Sequence, residues 1–172
     1  LLSQLQILLI EPNEGMRVRQ QEKLSHIKDV VYRWTNFKEL SREPIVGILL
    51  AHEILDALPV DRITSKSNKL YLQGVTLEKV ESVYKFKLAD LPIPKSISLQ
   101  IDSFQEQHNI NIPPKDSPDG WTSEWHTSLS DWFKNASLAL NKGFLLIIDY
   151  AMESSRYYHI NRTQGTLLSY KD

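Results

Sequence analysis

The 172-residue sequence contains no cysteine, which excludes disulfide scaffolds, thiolate zinc sites, iron–sulfur clusters and cysteine nucleophiles. Glycine is scarce: six residues, at 15, 47, 74, 120, 143 and 165, and no two of them form Gly-x-Gly. Neither a dinucleotide fingerprint nor a phosphate-binding loop can therefore be drawn in this chain. A Gly-x-Ser-x-Gly elbow is also missing, leaving a serine hydrolase without a visible nucleophile. Long apolar runs are absent, since Ile45 to Ala51 and Phe144 to Ile148 fall far short of the ~20 residues that cross a bilayer. Charge of one sign is not in excess. Twenty basic against 21 acidic side chains leave a net charge of −1, so no broad basic face for nucleic acid is expected.

What is present, 41% hydrophobic and 24% charged residues, fits an ordinary globular domain. The opening LLSQLQILLI has no basic lead-in, the first positive charge being Arg17, so it lacks the pattern of a secretory signal. With no initiator Met and an apolar opening, the chain reads as cut from something longer, though processing could give the same start.

Leu5 to Ile10 predicts a short strand, Glu11-Pro12-Asn13 a turn, and Glu14 to Ile27 a helix capped by Asn13, with Met16, Gln20 or Leu24, and Ile27 near one face. Asp29 to Trp34 is rich in β-formers and precedes a short helix through Leu40. Pro44 introduces Ile45 to Ala51, a run of the kind found in parallel strands buried on both faces. The unit strand–helix–strand repeats, which argues for a parallel sheet with helices on both sides. Val60–Ile63, Lys69–Leu72 and Val80–Phe86 are short alternating runs suited to antiparallel strands. Five of the eight prolines fall between Pro92 and Pro118 and bracket an amphipathic stretch, Ser96 to His108. Trp121 to Asn141 predicts one helix with a stripe of Trp125, Leu129, Trp132, Phe133, Ala136 and Leu140, stopping at Gly143. Phe144 to Ile148 is a last strand. The expected organisation is residues 1–60 as the central part of an α/β domain, 61–123 as an insertion or rim, and 124–172 as the return to that domain.

Ligands of open parallel sheets collect at the carboxyl ends of strands. Three expected strands end in acids there: Glu11, then His52-Glu53 with Asp56, and Asp149. An acid after the second strand of such a unit is placed to accept both hydroxyls of a cofactor ribose. Each of these acids also has a plain structural explanation as a turn or helix-terminal charge. His52-Glu53-Ile54-Leu55-Asp56 begins like a zinc-protease helix, but Asp56 stands where the second histidine belongs and Pro59 ends any helix at once. His26, His108, His126 and His159 show no metal-like spacing. Trp121, Trp125 and Trp132 form an aromatic row that helical spacing assigns to core.

The runs His52-Glu53-Ile54-Leu55-Asp56-Ala57-Leu58-Pro59-Val60, Gly143 through Asp149-Tyr150, and Tyr157-Tyr158 through Arg162 to Gly165-Thr166-Leu167 resemble signature segments of the MidA family of S-adenosylmethionine-dependent methyltransferases. That family includes a mitochondrial assembly factor for respiratory complex I that methylates arginine. Ile10-Glu11-Pro12-Asn13 with Arg17 and Gln20 is similar to its second strand and following helix. The resemblance spans nearly the whole chain and is weakest from about Thr64 to Pro118. Two departures stand in the motifs: His52 where the family usually has Asn, and Ala151 where it usually has Gly.

The resemblance implies a doubly wound, mostly parallel Rossmann-like sheet, incomplete at both ends, with an inserted antiparallel or irregular segment. S-adenosylmethionine would be the cofactor, with Glu11 at the ribose, Asn36 near the adenine and His52 among the cofactor contacts. Methyl transfer to a protein side chain, arginine, would be the activity. Glu53 and Asp56 would hold the guanidinium from one side of a first helical turn, with Asp149 and Tyr150 orienting. No metal is implied. The partner would be a protein substrate, such as a respiratory complex I-type subunit, and the location a bacterial-type cytoplasm or the mitochondrial matrix. The alternatives are a non-catalytic assembly protein on the same fold and, more remotely, a metal-dependent hydrolase.

Overall fold

The computed structural model describes residues 5–169; the first four residues of the apolar opening and the last three of the sequence lie outside it. Along the chain come β1 (Gln6–Ile10), α1 (Glu14–Leu24), β2 (Val31–Thr35), α2 (Phe37–Leu40), β3 (Ile45–His52), β4 (Asp61–Lys66), β5 (Lys69–Val80), β6 (Val83–Pro92), α3 (Lys95–His108), β7 (Thr122–Trp125), α4 (Leu129–Leu138), β8 (Leu140–Ile148) and α5 (Ser154–Tyr157). They form two compact units. One runs through His52 and takes in Ser130–Ile148; the other comprises Glu53–Leu129 and the segment from Asp149 onward.

The first unit is α/β. Asn13 starts α1 as expected, its extended backbone leaving the side chain to accept the Met16 N–H at 3.0 Å. β1 and β2 pair in parallel from Gln6↔Val31 to Ile10↔Thr35, and β3 pairs in parallel with the distant β8, ending at His52↔Ile148. Leu8, Phe37, Leu40, Leu49, Trp132, Ala136, Ala139 and Leu145 make a shared core, so α2 and α4 cover one face of β3 and β8.

Several expectations are corrected here. α1 buries no residue and stops at Leu24, with Met16 and Ile27 exposed. β3 is buried on one face only among the described residues: Leu49 and Ala51 are inside, whereas Val46, Ile48 and Leu50 are more than half exposed. The parallel strands pair as β1 with β2 and β3 with β8. Trp121 to Asn141 is not one helix. Its first part is β7, because Thr122–Trp125 pairs with β4 from Asp61↔Trp125 to Thr64↔Thr122, and ladder bonds to a neighbour override a local helical spacing.

The second unit is built on an antiparallel sheet of order β6-β5-β4-β7. One face carries Ile63, Leu72 and Trp125, which pack with Ile97, Ile101 and Phe104 of α3; the Trp125 ring meets Phe104 edge-on at 5.5 Å and its indole N–H donates to Gln100. The opposite face carries Arg62, Thr64, Thr122 and Glu124. Val80–Phe86 is not a single strand: β5 and β6 form a hairpin that turns at Glu81-Ser82, with Val80 opposite Val83 and Glu81 in the left-handed region at φ 57°. The usual Asn-Gly or Asp-Gly turn signal is absent, which hid the turn. Among the described residues no helix is long and apolar enough to cross a membrane.

Two glycines face each other where β3 meets β8. Gly143 sits at φ 145°, and a Cβ there would lie 1.7 Å from the Gly47 carbonyl oxygen; a Cβ on Gly47 would meet only Ile45 at 3.9 Å. Backbone cannot yield as a side-chain end can. Gly143→Ala is expected to cost about 2 kcal/mol or more and Gly47→Ala less than about 1 kcal/mol. Denaturant titration of both variants checks this, and equal losses would refute the close approach.

Candidate functional site

β3 and β8 run in register to their last residues, so the chain leaves the sheet at two neighbouring points, into Glu53 after His52 and into Asp149 after Ile148. Both following segments belong to the second unit. Asp149 stitches them together: its Oδ2 accepts the N–H groups of Ile54 at 3.0 Å and Leu55 at 2.7 Å, and its Oδ1 accepts the Tyr150 N–H at 2.8 Å. Partial removal from water pushes this carboxyl up, but these donors and the nearby Asp56 amide outweigh that, and its pKa lies below the ordinary value.

The stitched segment carries Glu53 and Asp56, both exposed. It is not the helical turn expected. Glu53 is left-handed at φ 49°, and residues 53–58 form turns closed by Leu58 N–H on the Leu55 carbonyl at 3.3 Å. The helical zinc-site geometry is lost for the same reason. The structure thus brings Glu53, Asp56, Asp149 and Tyr150 onto two backbone segments joined by one carboxylate. Tyr150 is 80% exposed, and its ring is free to meet a ligand.

The other three expected residues belong to the first unit. Glu11 is half-buried just past β1; its Oε1 accepts the Asn13 N–H at 2.8 Å and its Oε2 accepts Gln20 Nε2 at 3.1 Å. Gln20 in turn accepts the Trp34 indole N–H at 2.9 Å, so the carboxylate is held in place with lone pairs to spare. Asn36 is engaged otherwise: it caps α2, accepting the Glu39 N–H and donating to Glu39 Oε1, while Thr35 donates to Glu39 Oε2. These bonds form a reciprocal capping box. His52 ends β3 with its side chain exposed.

Sequence reasoning missed Glu124. It lies on β7, 2% exposed, inside the stretch read as a helix. Its Oε2 accepts from the Thr166 N–H at 2.8 Å, Thr166 Oγ1 at 3.0 Å and Tyr157 Oη at 3.2 Å, and its main-chain carbonyl accepts from Tyr158 Oη. Arg62 Nε stands 3.8 Å away without hydrogen-bonding, and Arg62 Nη2 donates to the Gln164 carbonyl instead. A Cβ on Gly165, at φ 73°, would fall 2.2 Å from Glu124 Oε1. Tyr157, Tyr158, Gly165 and Thr166, singled out as one run, are therefore the residues that enclose this carboxylate. Burial, with the neighbouring negative charge of Glu124, raises the Tyr157 phenol to about 12 despite its bond to Thr166. Burial also raises Tyr158 and lowers His126, the latter against the pull of Glu124.

Compared with known proteins, all of residues 1–172 match the model of a family described as "Putative S-adenosyl-L-methionine-dependent methyltransferase". The chain belongs to this family. S-adenosyl-L-methionine is the family's cofactor, and methyl transfer its chemistry. The chain is also similar to a solved superfamily member from Burkholderia thailandensis that is bound to S-adenosyl-homocysteine, with 23% identity and a TM-score of 0.70 over 92% of this chain and 38% of that one. At that identity the likeness shows the fold, and the chain spans well under half the length of that structure. No curated protein matches it at a significant level.

The residues present fit one end of the cofactor. Glu11, with its free lone pairs at a parallel-strand terminus, suits a ribose diol; no paired glycines are available to admit a methionine carboxylate closely. Among the described residues no group of three or more His, Asp or Glu side chains is placed to hold a metal.

Because Asp149 has a lowered pKa, the stability it confers is present above the unfolded carboxyl's ordinary pKa of about 3.9 and is lost as pH falls through the lower folded value. Asp149→Asn is expected to melt below the wild type at neutral pH, the gap closing on acidification; melting temperatures across pH check this, and a pH-independent gap would contradict it. Glu124→Ala is expected to cost about 3 kcal/mol by leaving its buried donors unpaired, measured by denaturant titration against the milder Glu124→Gln.

Proposed function

We propose that the protein carrying this chain transfers a methyl group from S-adenosyl-L-methionine to a protein side chain, arginine, and that it is MidA-like. The observation that supports this most is the family match along the whole chain. The geometry agrees in kind: acids sit where parallel strands end, and Asp149 holds two of them on one turn. We read the two parallel pairs as parts of one doubly wound sheet.

When bound, the cofactor supplies an electrophilic methyl on a sulfonium, a good leaving group. Glu11 would hold its ribose, and Asn36 and His52, the latter at the end of β3, would be among its contacts. An arginine acceptor is a planar cation, matched best by carboxylates that accept its N–H groups pairwise. Glu53 and Asp56 do this and take up the proton that the guanidinium loses as its nitrogen gains the methyl. Asp149 acts through them as a positioning residue, and Tyr150 flanks the acceptor. The resemblance makes the acceptor a subunit of a respiratory complex I-type assembly, in a bacterial cytoplasm or mitochondrial matrix.

The test is methyl incorporation from labelled cofactor into protein, read as methylarginine after acid hydrolysis, beside calorimetric cofactor binding. Glu53→Asn and Asp56→Asn are expected to lower incorporation by about 100-fold or more with cofactor affinity unchanged; Asn tolerates the left-handed backbone at 53, so the fold is kept. Glu11→Gln is expected to weaken cofactor binding by about tenfold. Label in another amino acid would overturn the arginine reading. Cofactor bound with no incorporation would leave a non-catalytic assembly protein.

A further inference from the structure

The β5–β6 hairpin is amphipathic, yet it is exposed on both faces. On one face the cross-strand pairs are Gln73–Asp90, Val75–Leu88, Leu77–Phe86 and Lys79–Tyr84; on the other they are Gly74–Ala89, Thr76–Lys87, Glu78–Lys85 and, beside the turn, Val80–Val83. The polar face is self-sufficient, with Lys87 Nζ on Glu78 Oε1 at 2.9 Å. The apolar face has nothing on it among the described residues: Phe86 is 82% exposed, and Val75, Leu77, Tyr84 and Leu88 are each 60% or more. These five residues present on the order of 600 Å² of surface, as large as the largest patches that monomers carry. A free two-stranded ribbon of this length is marginal without cover.

We propose that this face binds the same face of a second copy of the chain, forming a two-fold dimer. The order of the pairs is self-complementary. With the axis running across the strands midway between the Val75–Leu88 and Leu77–Phe86 pairs, each apolar pair meets the other apolar pair of its mate. The polar pairs then meet as well: Lys79 and Tyr84 of one copy lie over Gln73 and Asp90 of the other. Among the described residues, Asp90 has the exposed Lys66 beside it, at 3.5 Å, and Lys79 the Tyr84 ring, 5.9 Å to its centre. The result is an apolar centre with a charged rim on both sides, the usual anatomy of a protein interface.

The area fits this occupant. About 600 Å² per copy, together with the rim residues, approaches the ~800 Å² per partner of stable complexes. A net charge of −1 imposes little repulsion between copies. β6 is also an edge strand, but Lys85 and Lys87 would be brought together by pairing two such edges, so stacking of faces is favoured over extension of the sheet. The proposal does not depend on the catalytic reading.

Sedimentation equilibrium of the purified protein is expected to show a dimer. Phe86→Glu should raise its dissociation constant about 100-fold, while Thr76→Glu, on the polar face, should leave it unchanged; melting curves show that both fold. Lys79→Glu and Asp90→Lys should each weaken association, and the two together should restore it, which a nonspecific apolar contact would not do. A monomeric wild type, a dimer indifferent to Phe86→Glu, a double reversal weaker than either single change, or a monomer that instead binds phosphatidylcholine–phosphatidylglycerol vesicles through Phe86 would each overturn the proposal.

Discussion

One carboxylate ties together the chain segments that follow β3 and β8. Asp149 accepts three backbone N–H groups, and two of these belong to a turn about 95 residues earlier in the chain, as the separations of 95 and 94 for Ile54 and Leu55 record. Without those bonds the 53–58 segment would be a solvated connection between β3 and β4. With them, the backbone at Glu53 can remain left-handed, a conformation that costs a non-glycine residue on the order of 1–2 kcal/mol. Ionised, Asp149 is well suited to this: an anion accepts such donors more strongly than a neutral group, and its lowered pKa keeps it charged through the physiological range.

The second buried acid works differently. Glu124 also gathers backbone and side-chain donors, but it lies inside its unit, where removing a charge from water is expensive unless every lone pair is used. Its partners come from one late stretch of chain, so it fixes Tyr157 and Thr166 rather than presenting itself to a ligand. The Tyr157 phenol stays protonated near neutral pH and can serve as donor to Glu124 while His126 approaches it at 3.1 Å. Exposure separates these acids: Glu53 and Asp56 face water, whereas Glu124 is sealed.

Much of the architecture could be read in the chain beforehand because it rests on local chemistry. Asn13 and Pro44 mark boundaries that backbone sterics and capping enforce, and the aliphatic run of β3 needs no partner to be recognised. Where non-local pairing decides the outcome, the reading failed. Thr122–Trp125 obeys a helical spacing and is nevertheless a strand, because β4 supplies its hydrogen bonds. The 53–56 acids share an i, i+3 spacing that predicts one helical face; the left-handed Glu53 and the pull of Asp149 on the next two amides make it a turn instead. Asn36 also caps α2, a role that Glu39 three residues on makes legible in the sequence. Glu124 gave no signal, since an isolated acid between Ser and Trp looks the same whether it is solvated or enclosed.

The departures from local rules are unevenly placed, and that placement carries meaning. Most left-handed non-glycine residues, such as Ser67-Asn68 and Asn109, sit in hairpin turns or at a helix end where that backbone is routine. Glu53 is different: it directly follows a strand whose partner is in register to the last residue, and its neighbour on that partner strand's continuation is the very acid that stabilises it. Gly143, further down the same strand pair, is held where a methyl group would strike backbone. Strain, close approach and a charge-assisted clamp therefore converge on β3 and β8 and not on the antiparallel sheet, whose pairs follow ordinary pleat and register. Glu53 is thus an exposed acid held in a costly left-handed backbone beside a fixed anion, a placement that the pairing of β3 with β8 does not by itself require.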